Sequence, residues 1–169
     1  MIPVNTNLIA SHIVRIRNNG QAEFLVMQRS DNTKYYPGTW QILTGHVEED
    51  ESIVQAILRE VKEETKLNPL SLYSLNYVSR FFETVDNSIY LVPLFMAVVP
   101  FSSRIILDPK EHQRYNWCTI HQAQRLLLWQ QYRRSLIHVQ REFIERQPAK
   151  WLKIYEKPAE SKDKKSARK

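Results

Sequence analysis

The hydrophobic pattern changes period several times along the chain. Residues 8–16 (LIASHIVRI) and 23–28 (EFLVMQ) read as strands, with Asn18-Asn19-Gly20 supplying a turn between them. Residues 31–38 (DNTKYYPG) break the pattern and close on a Pro-Gly turn signal, and 39–44 resume as a short strand ending at Gly45. From 52 to 65 the period becomes helical, and Ser52 stands three residues before Gln55, a capping-box start. Strands follow at 72–82, 89–99 and 115–119, and 121–146 is helical in one or two pieces. Within that last segment Trp129, Tyr132, Leu136, Val139 and Phe143 recur at helical spacing, a stripe expected to pack on a sheet. Strands on both sides of a helix, with a long final helix, predict an α/β sandwich.

A chain of 169 residues accommodates one domain with a substantial core. The net charge of +6 is unevenly spread. Residues 148–169 hold eight basic and three acidic side chains, a net +5, against +1 for the remainder. This predicts a domain over 1–147 and a basic tail over 148–169 whose end (KPAESKDKKSARK) has no apolar periodicity and is partly disordered. A solubilising terminus is the expected role, and nucleic acid is not an expected partner. The apolar run at 91–101 is broken by two prolines and is too short to span a bilayer. Cys118 is the only cysteine, so no internal disulfide forms. These features fit a cytoplasmic enzyme; nothing in the pattern selects an oligomeric state.

Only Gly20, Gly38 and Gly45 occur, which excludes glycine-rich phosphate cradles. If phosphate is handled, metal ions and basic side chains must do it. The candidate lies at 45–67, where seven acidic side chains face three basic ones. On a helix of about 100° per residue, Val54, Ile57, Leu58 and Val61 form an apolar stripe. Glu60, Glu63 and Glu64 share one arc beside it. Like charges at i, i+3 and i+4 repel, and partial burial raises that cost. A hard cation such as Mg²⁺, or Mn²⁺ in its place, would turn the repulsion into a site. On the arc alone, a solvated acidic face is the commoner outcome.

The wider spacing decides between the two. Gly45, Glu51, Arg59, Glu60, Val61, Glu63, Glu64 and Leu67 resemble the Nudix box, G-x5-E-x7-R-E-U-x-E-E-x-G-U with U aliphatic. One position departs: Lys66 stands where the box has its second glycine, at a helix end where positive φ is usual. The resemblance implies an α/β/α sandwich with a mixed sheet flanked by helices. It implies that Glu60 and Glu64 are metal ligands, with Glu63 contributing in some members. Arg59 orients the cluster and Glu51 pairs with it. The catalytic assignment would then fall on Glu60, Arg59 and Glu64, with Glu60 ranked first as the group activating water. Backbone carbonyls at Thr44–Gly45 often complete the metal site.

Further runs resemble one branch of that family, the dihydroneopterin triphosphate and dATP pyrophosphohydrolases. WQILTGHVE at 40–48 is similar to its W-Q-x-x-T-G-x-x-E stretch, and Glu111-His112 with Tyr115 and Trp117 to its E-H-x-x-Y-x-W stretch. Glu111 would then be a metal ligand from a loop opposite the helix, although a solvated loop carboxylate is the alternative. Gln28-Arg29 matches that branch's Q-R, which makes Arg29 a candidate triphosphate clamp. Trp40, Phe81 and Phe82 are candidates to stack on a base or pterin ring, with core packing as the alternative for each. Thr44 completes the substrate-binding set. His46 and His112 are not expected as ligands, since Mg²⁺ prefers oxygen. The implied partner is a small-molecule triphosphate. The alternatives are another nucleoside-diphosphate derivative (ADP-ribose or a diadenosine polyphosphate) or a non-catalytic nucleotide-sensing module.

Overall fold

The computed structural model describes residues 1–159. Nine strands form one sheet: β1 (Val4–Asn5), β2 (Leu8–Ile16), β3 (Ala22–Arg29), β4 (Trp40–Gln41), β5 (Leu43–His46), β6 (Ser71–Glu83), β7 (Ser88–Val98), β8 (His112–Cys118) and β9 (Lys153–Glu156). The main path runs β4-β3-β2-β7-β6-β9, with β5 on β2, β8 on β3 and β1 on β7. Strand β7 is parallel to β1 and β2, while the other pairs are antiparallel, so the sheet is mixed. Helix α1 (Ile53–Thr65) lies between β5 and β6; α2 (Ile120–Leu126) and α3 (Gln130–Val139) follow β8.

The two-residue period of the strands builds two cores from adjacent residues. Ile9, Ile13, Leu25, Met27, Phe95 and Ala97 face α1 and pack on Ala56, Ile57 and Val61. Their chain neighbours Ala10, Val14, Phe24, Val26, Leu94 and Met96 face the other way, onto Ala123, Tyr132, Leu136 and Val139. Helices therefore cover both faces, giving the expected α/β/α sandwich. Both bonds of the expected capping box are present at Ser52 and Gln55.

Three boundaries differ from expectation, and the division left open in the last helical region is now fixed. The single strand expected at 39–44 is two, because Trp40 and Gln41 pair with β3 whereas Leu43–His46 pair with β2. The strand expected at 115–119 begins at His112, whose polar first half carries no alternation to read. The last helical region divides at Leu127–Trp129, and α3 ends in a wider turn over Gln140–Ile144. Finally, β9 lies within the stretch expected as tail and pairs with β6, so the sheet reaches past Gln147. The remainder of that tail, from residue 160, lies outside the described residues. Among the described residues no helix is long and apolar enough to cross a membrane.

Candidate active site

The carboxylates of α1 emerge at the end of the sheet where β5 passes the helix. Contact there is close: a methyl added to Gly45 would lie 2.3 Å from the Glu60 side chain. Any larger residue there would force the Glu60 carboxylate to shift, whatever its backbone angle. Arg59 organises the cluster. Its Nε and Nη2 donate to the two oxygens of Glu51, each at 2.9 Å, and Nη2 also reaches the His46 carbonyl at 2.8 Å. Its Nη1 donates to Glu60 Oε1 at 2.9 Å and Glu63 Oε2 at 3.2 Å. The bond to Arg59 holds Glu51 below the usual carboxylate range. Burial raises Glu60, with Arg59 acting in the opposite direction.

Glu64, one turn on, is 6% exposed and has a different neighbour. The chain returning toward β8 is pinned to this end of α1, with Ile106 N–H donating to the Thr65 carbonyl and Asp108 N–H to that of Glu64. Glu111 and His112 are thereby brought up to the helix. Burial first, then the charges of Glu60 and Glu111, push the Glu64 carboxyl well above the ordinary range. Burial lowers His112 to about 4, so its ring is neutral near pH 7.

Glu60, Glu63, Glu64, Asp108 and Glu111 all line one cleft of about 580 Å³. Among the described residues no three acidic, histidine or cysteine side chains are drawn together closely enough to hold an ion. Of the glutamates lining the cleft, Arg59 engages Glu60 and Glu63. The donor chemistry nevertheless fits a hard divalent cation: the groups are carboxylates, and Glu64 is buried at the cleft among further acidic side chains. A cation there would relieve both the repulsion and the desolvation.

The other half of the cleft is aromatic. Phe81 and its cross-strand neighbour Tyr90 stack at 5.3 Å with 9° between the rings. Tyr36, held at φ 49°, meets Trp129 edge-on at 4.8 Å and donates its hydroxyl to Glu83 at 2.7 Å. Arg29 stands between the halves, with Nε anchored on the Tyr35 carbonyl at 2.8 Å. The cleft thus joins a planar-ring surface to an acidic, cation-seeking surface.

The NUDIX domain model matches residues 6–139. The chain belongs to the Nudix family. Its Nudix relatives include the mouse asymmetrical bis(5'-nucleosyl)-tetraphosphatase, 29% identical over 132 residues that cover 74% of this chain and 83% of that protein. Nucleoside triphosphatase NudI of Salmonella agona is 28% identical over 109 residues, covering 60% and 75%. Among solved structures, a C. elegans Ap4A hydrolase complex superposes with a TM-score of 0.65 at 24% identity, covering 79% of this chain and 94% of the other. The E. coli dihydroneopterin triphosphate pyrophosphohydrolase gives 0.63 at 23%, covering 86% and 99%. At these identities the structural likenesses establish the Nudix fold.

Of the residues singled out from sequence, Arg29, Thr44, Glu60, Glu63, Glu64, Phe81, Phe82 and Glu111 line the cleft. Trp40 does not; it packs on the core beneath α2 and α3. Arg59 does not line the cleft and stands behind Glu60, to which it is bonded. Sequence reasoning missed Tyr36, Glu83, Tyr90 and Asp108. It assigned Trp129 and Tyr132 to packing, whereas both also face the cleft. The only early signal was the aromatic pair within the loop at 31–38.

Proposed function

We propose that the chain is a Mg²⁺-dependent pyrophosphohydrolase of nucleoside or pterin triphosphates, releasing a monophosphate and pyrophosphate. The observation that carries this reading is the convergence of Glu60, Glu64 and Glu111 with Arg29 in a cleft whose far wall is aromatic. Mn²⁺ would serve in the same place. A bound divalent cation supplies charge neutralisation at the phosphoanhydride and polarises phosphoryl oxygens. Glu60, Glu64 and Glu111 would hold it, with Glu63 at the exposed edge and the Thr44–Gly45 backbone alongside. Arg29 grips phosphate oxygens, while Phe81, Phe82 and Thr44 bear on the substrate. Glu60, oriented by Arg59, either ligates the cation or instead accepts the proton of the attacking water. Catalysis then rests on positioning and electrostatics, as in-line displacement at phosphorus requires. The domain that carries this reaction spans 1–147 with the β9 strand attached, and the basic end is not needed for it.

A second reading has specific support, because the mouse relative is a dinucleoside tetraphosphatase. One experiment separates the two. Purified protein with Mg²⁺ is offered dATP, GTP, dihydroneopterin triphosphate, ADP-ribose and diadenosine tetraphosphate in ¹⁸O-water. Fastest turnover of a triphosphate to monophosphate and pyrophosphate, with ¹⁸O in only one product, supports the first reading. Preference for the dinucleotide or ADP-ribose replaces it within the family. No turnover of any substrate indicates a sensing module.

A further inference from the structure

Two buried side-chain atoms without hydrogen-bond partners face each other beneath the cleft. Glu64 Oε2 and His112 Nδ1 stand 3.3 Å apart, on residues 6% and 1% exposed. An unpaired buried polar atom costs about 1–3 kcal/mol, so two of them this close together call for an account. The opposite ring nitrogen, Nε2, lies 3.3 Å from the amide nitrogen of Gln41, itself a buried residue at the cleft. That amide nitrogen can only donate. In this arrangement Nε2 accepts, and the single ring proton sits on Nδ1, the nitrogen on the side of Glu64.

We propose that His112 is a positioning residue. Gln41 sets its tautomer, and its Nδ1–H holds Glu64 Oε2, leaving Oε1 for a cation in the cleft. The inference rests on Glu64 being a cation ligand, as proposed above. Its logic is electrostatic. Arg59 contacts Glu51, Glu60 and Glu63 and offsets their charge. Glu64 has a neutral donor in the equivalent place, which orients the carboxylate without cancelling the charge a divalent cation seeks. The main chain at His112 is held as well, since its N–H donates to the Asp108 carbonyl, and it directly follows Glu111. One histidine therefore sets the helix carboxylate and anchors the loop carboxylate across from it.

The test is Mn²⁺ binding to the whole chain without substrate, followed by electron paramagnetic resonance of the free ion, together with kcat and KM on the best substrate. His112→Leu should weaken Mn²⁺ binding tenfold or more and lower kcat while KM stays within about threefold. His112→Asn can place an N–H where Nδ1 stands and should restore both to within about threefold. Adding His112→Leu to Glu64→Gln should cost no further affinity, because the histidine acts through that carboxylate. Wild-type Mn²⁺ affinity in a folded His112→Leu protein overturns the proposal, as does full additivity with Glu64→Gln. If His112→Leu does not fold, Gln41→Met takes its place: it frees the tautomer, and unchanged Mn²⁺ affinity there overturns the proposal equally. Wild-type affinity in Glu64→Gln itself would instead remove the ligand assignment on which the inference stands.

Discussion

Single side chains at the helix end combine fold and chemistry in a few ångströms. Glu64 is buried beside Glu60 and Glu111, so exchanging its charge for an amide relieves repulsion while removing the proposed ligand. Glu64→Gln is therefore expected to remain folded yet lose roughly 10²-fold in kcat, about 2.7 kcal/mol of transition-state stabilisation. Steady-state kinetics check this, and activity within threefold of wild type would sink the assignment. Gly45 makes the complementary case. An added methyl collides with Glu60 at 2.3 Å, and Gly45→Ala should lower kcat roughly tenfold or more by displacing that carboxylate. Lys66 occupies the left-handed helix end at φ 59°, where the Nudix pattern has glycine. The strained backbone is kept and the side chain is accommodated, its ammonium donating to the Glu63 carbonyl. Lys66→Gly should stabilise the protein by about 1 kcal/mol, read from urea unfolding, with little effect on kcat.

At the scale of elements, the end of the chain separates into two parts with different expected roles. Strand β9 pairs with the edge of β6, and Tyr155 packs on the core beneath α1. A chain ending at Gln147 loses those backbone bonds and bares the β6 edge. It should unfold at lower urea concentration, by an amount on the order of 2 kcal/mol, and aggregate more readily. A chain ending at Ala159 keeps β9. Its kcat/KM on the preferred substrate should stay within about threefold of the full chain at moderate salt, where distant charges are screened. A tenfold loss would show that the basic end steers a polyanionic substrate.

Across the whole molecule, a buried histidine couples the sheet to the last helix. His12 lies in β2, and its Nε2 meets Ser135 Oγ of α3 at 2.7 Å. Burial lowers its pKa to about 3, far below the ordinary 6.5. The unfolded chain therefore takes up a proton near pH 6.5 that the folded protein refuses. The associated stability is complete above that pH and is lost as pH falls toward 3. Between pH 7 and pH 5 this one group should remove up to about 2 kcal/mol. Urea unfolding of wild type and His12→Gln at the two pH values measures it. The variant should show a correspondingly smaller change, and equal slopes would exclude His12 as a source.

Much of the acidic half of the site was legible before folding, because its residues lie on one helix and its spacing follows from helical geometry alone. Ser52 with Gln55 marked the start of that helix, and the apolar stripe marked the face that turns Glu60 and Glu64 toward the sheet end. Glu111 was readable only through its resemblance to a motif, since no local period links a loop carboxylate to a distant helix. The aromatic half was scarcely legible. Phe81 and Tyr90 meet across a hairpin, Tyr36 comes from an irregular loop and Trp129 from a helix start. Their convergence depends on strand register and loop path, which arise from long-range packing. Trp40 illustrates the same limit in reverse: its sequence position suggested a substrate surface, whereas in its pairing with β3 it packs, partly buried, against the core. Local periodicity thus determined the carboxylate helix and the class of fold. The tertiary structure alone decided which aromatic rings face the cleft, and which buried histidine stands behind Glu64, because those contacts join residues that no short-range pattern connects.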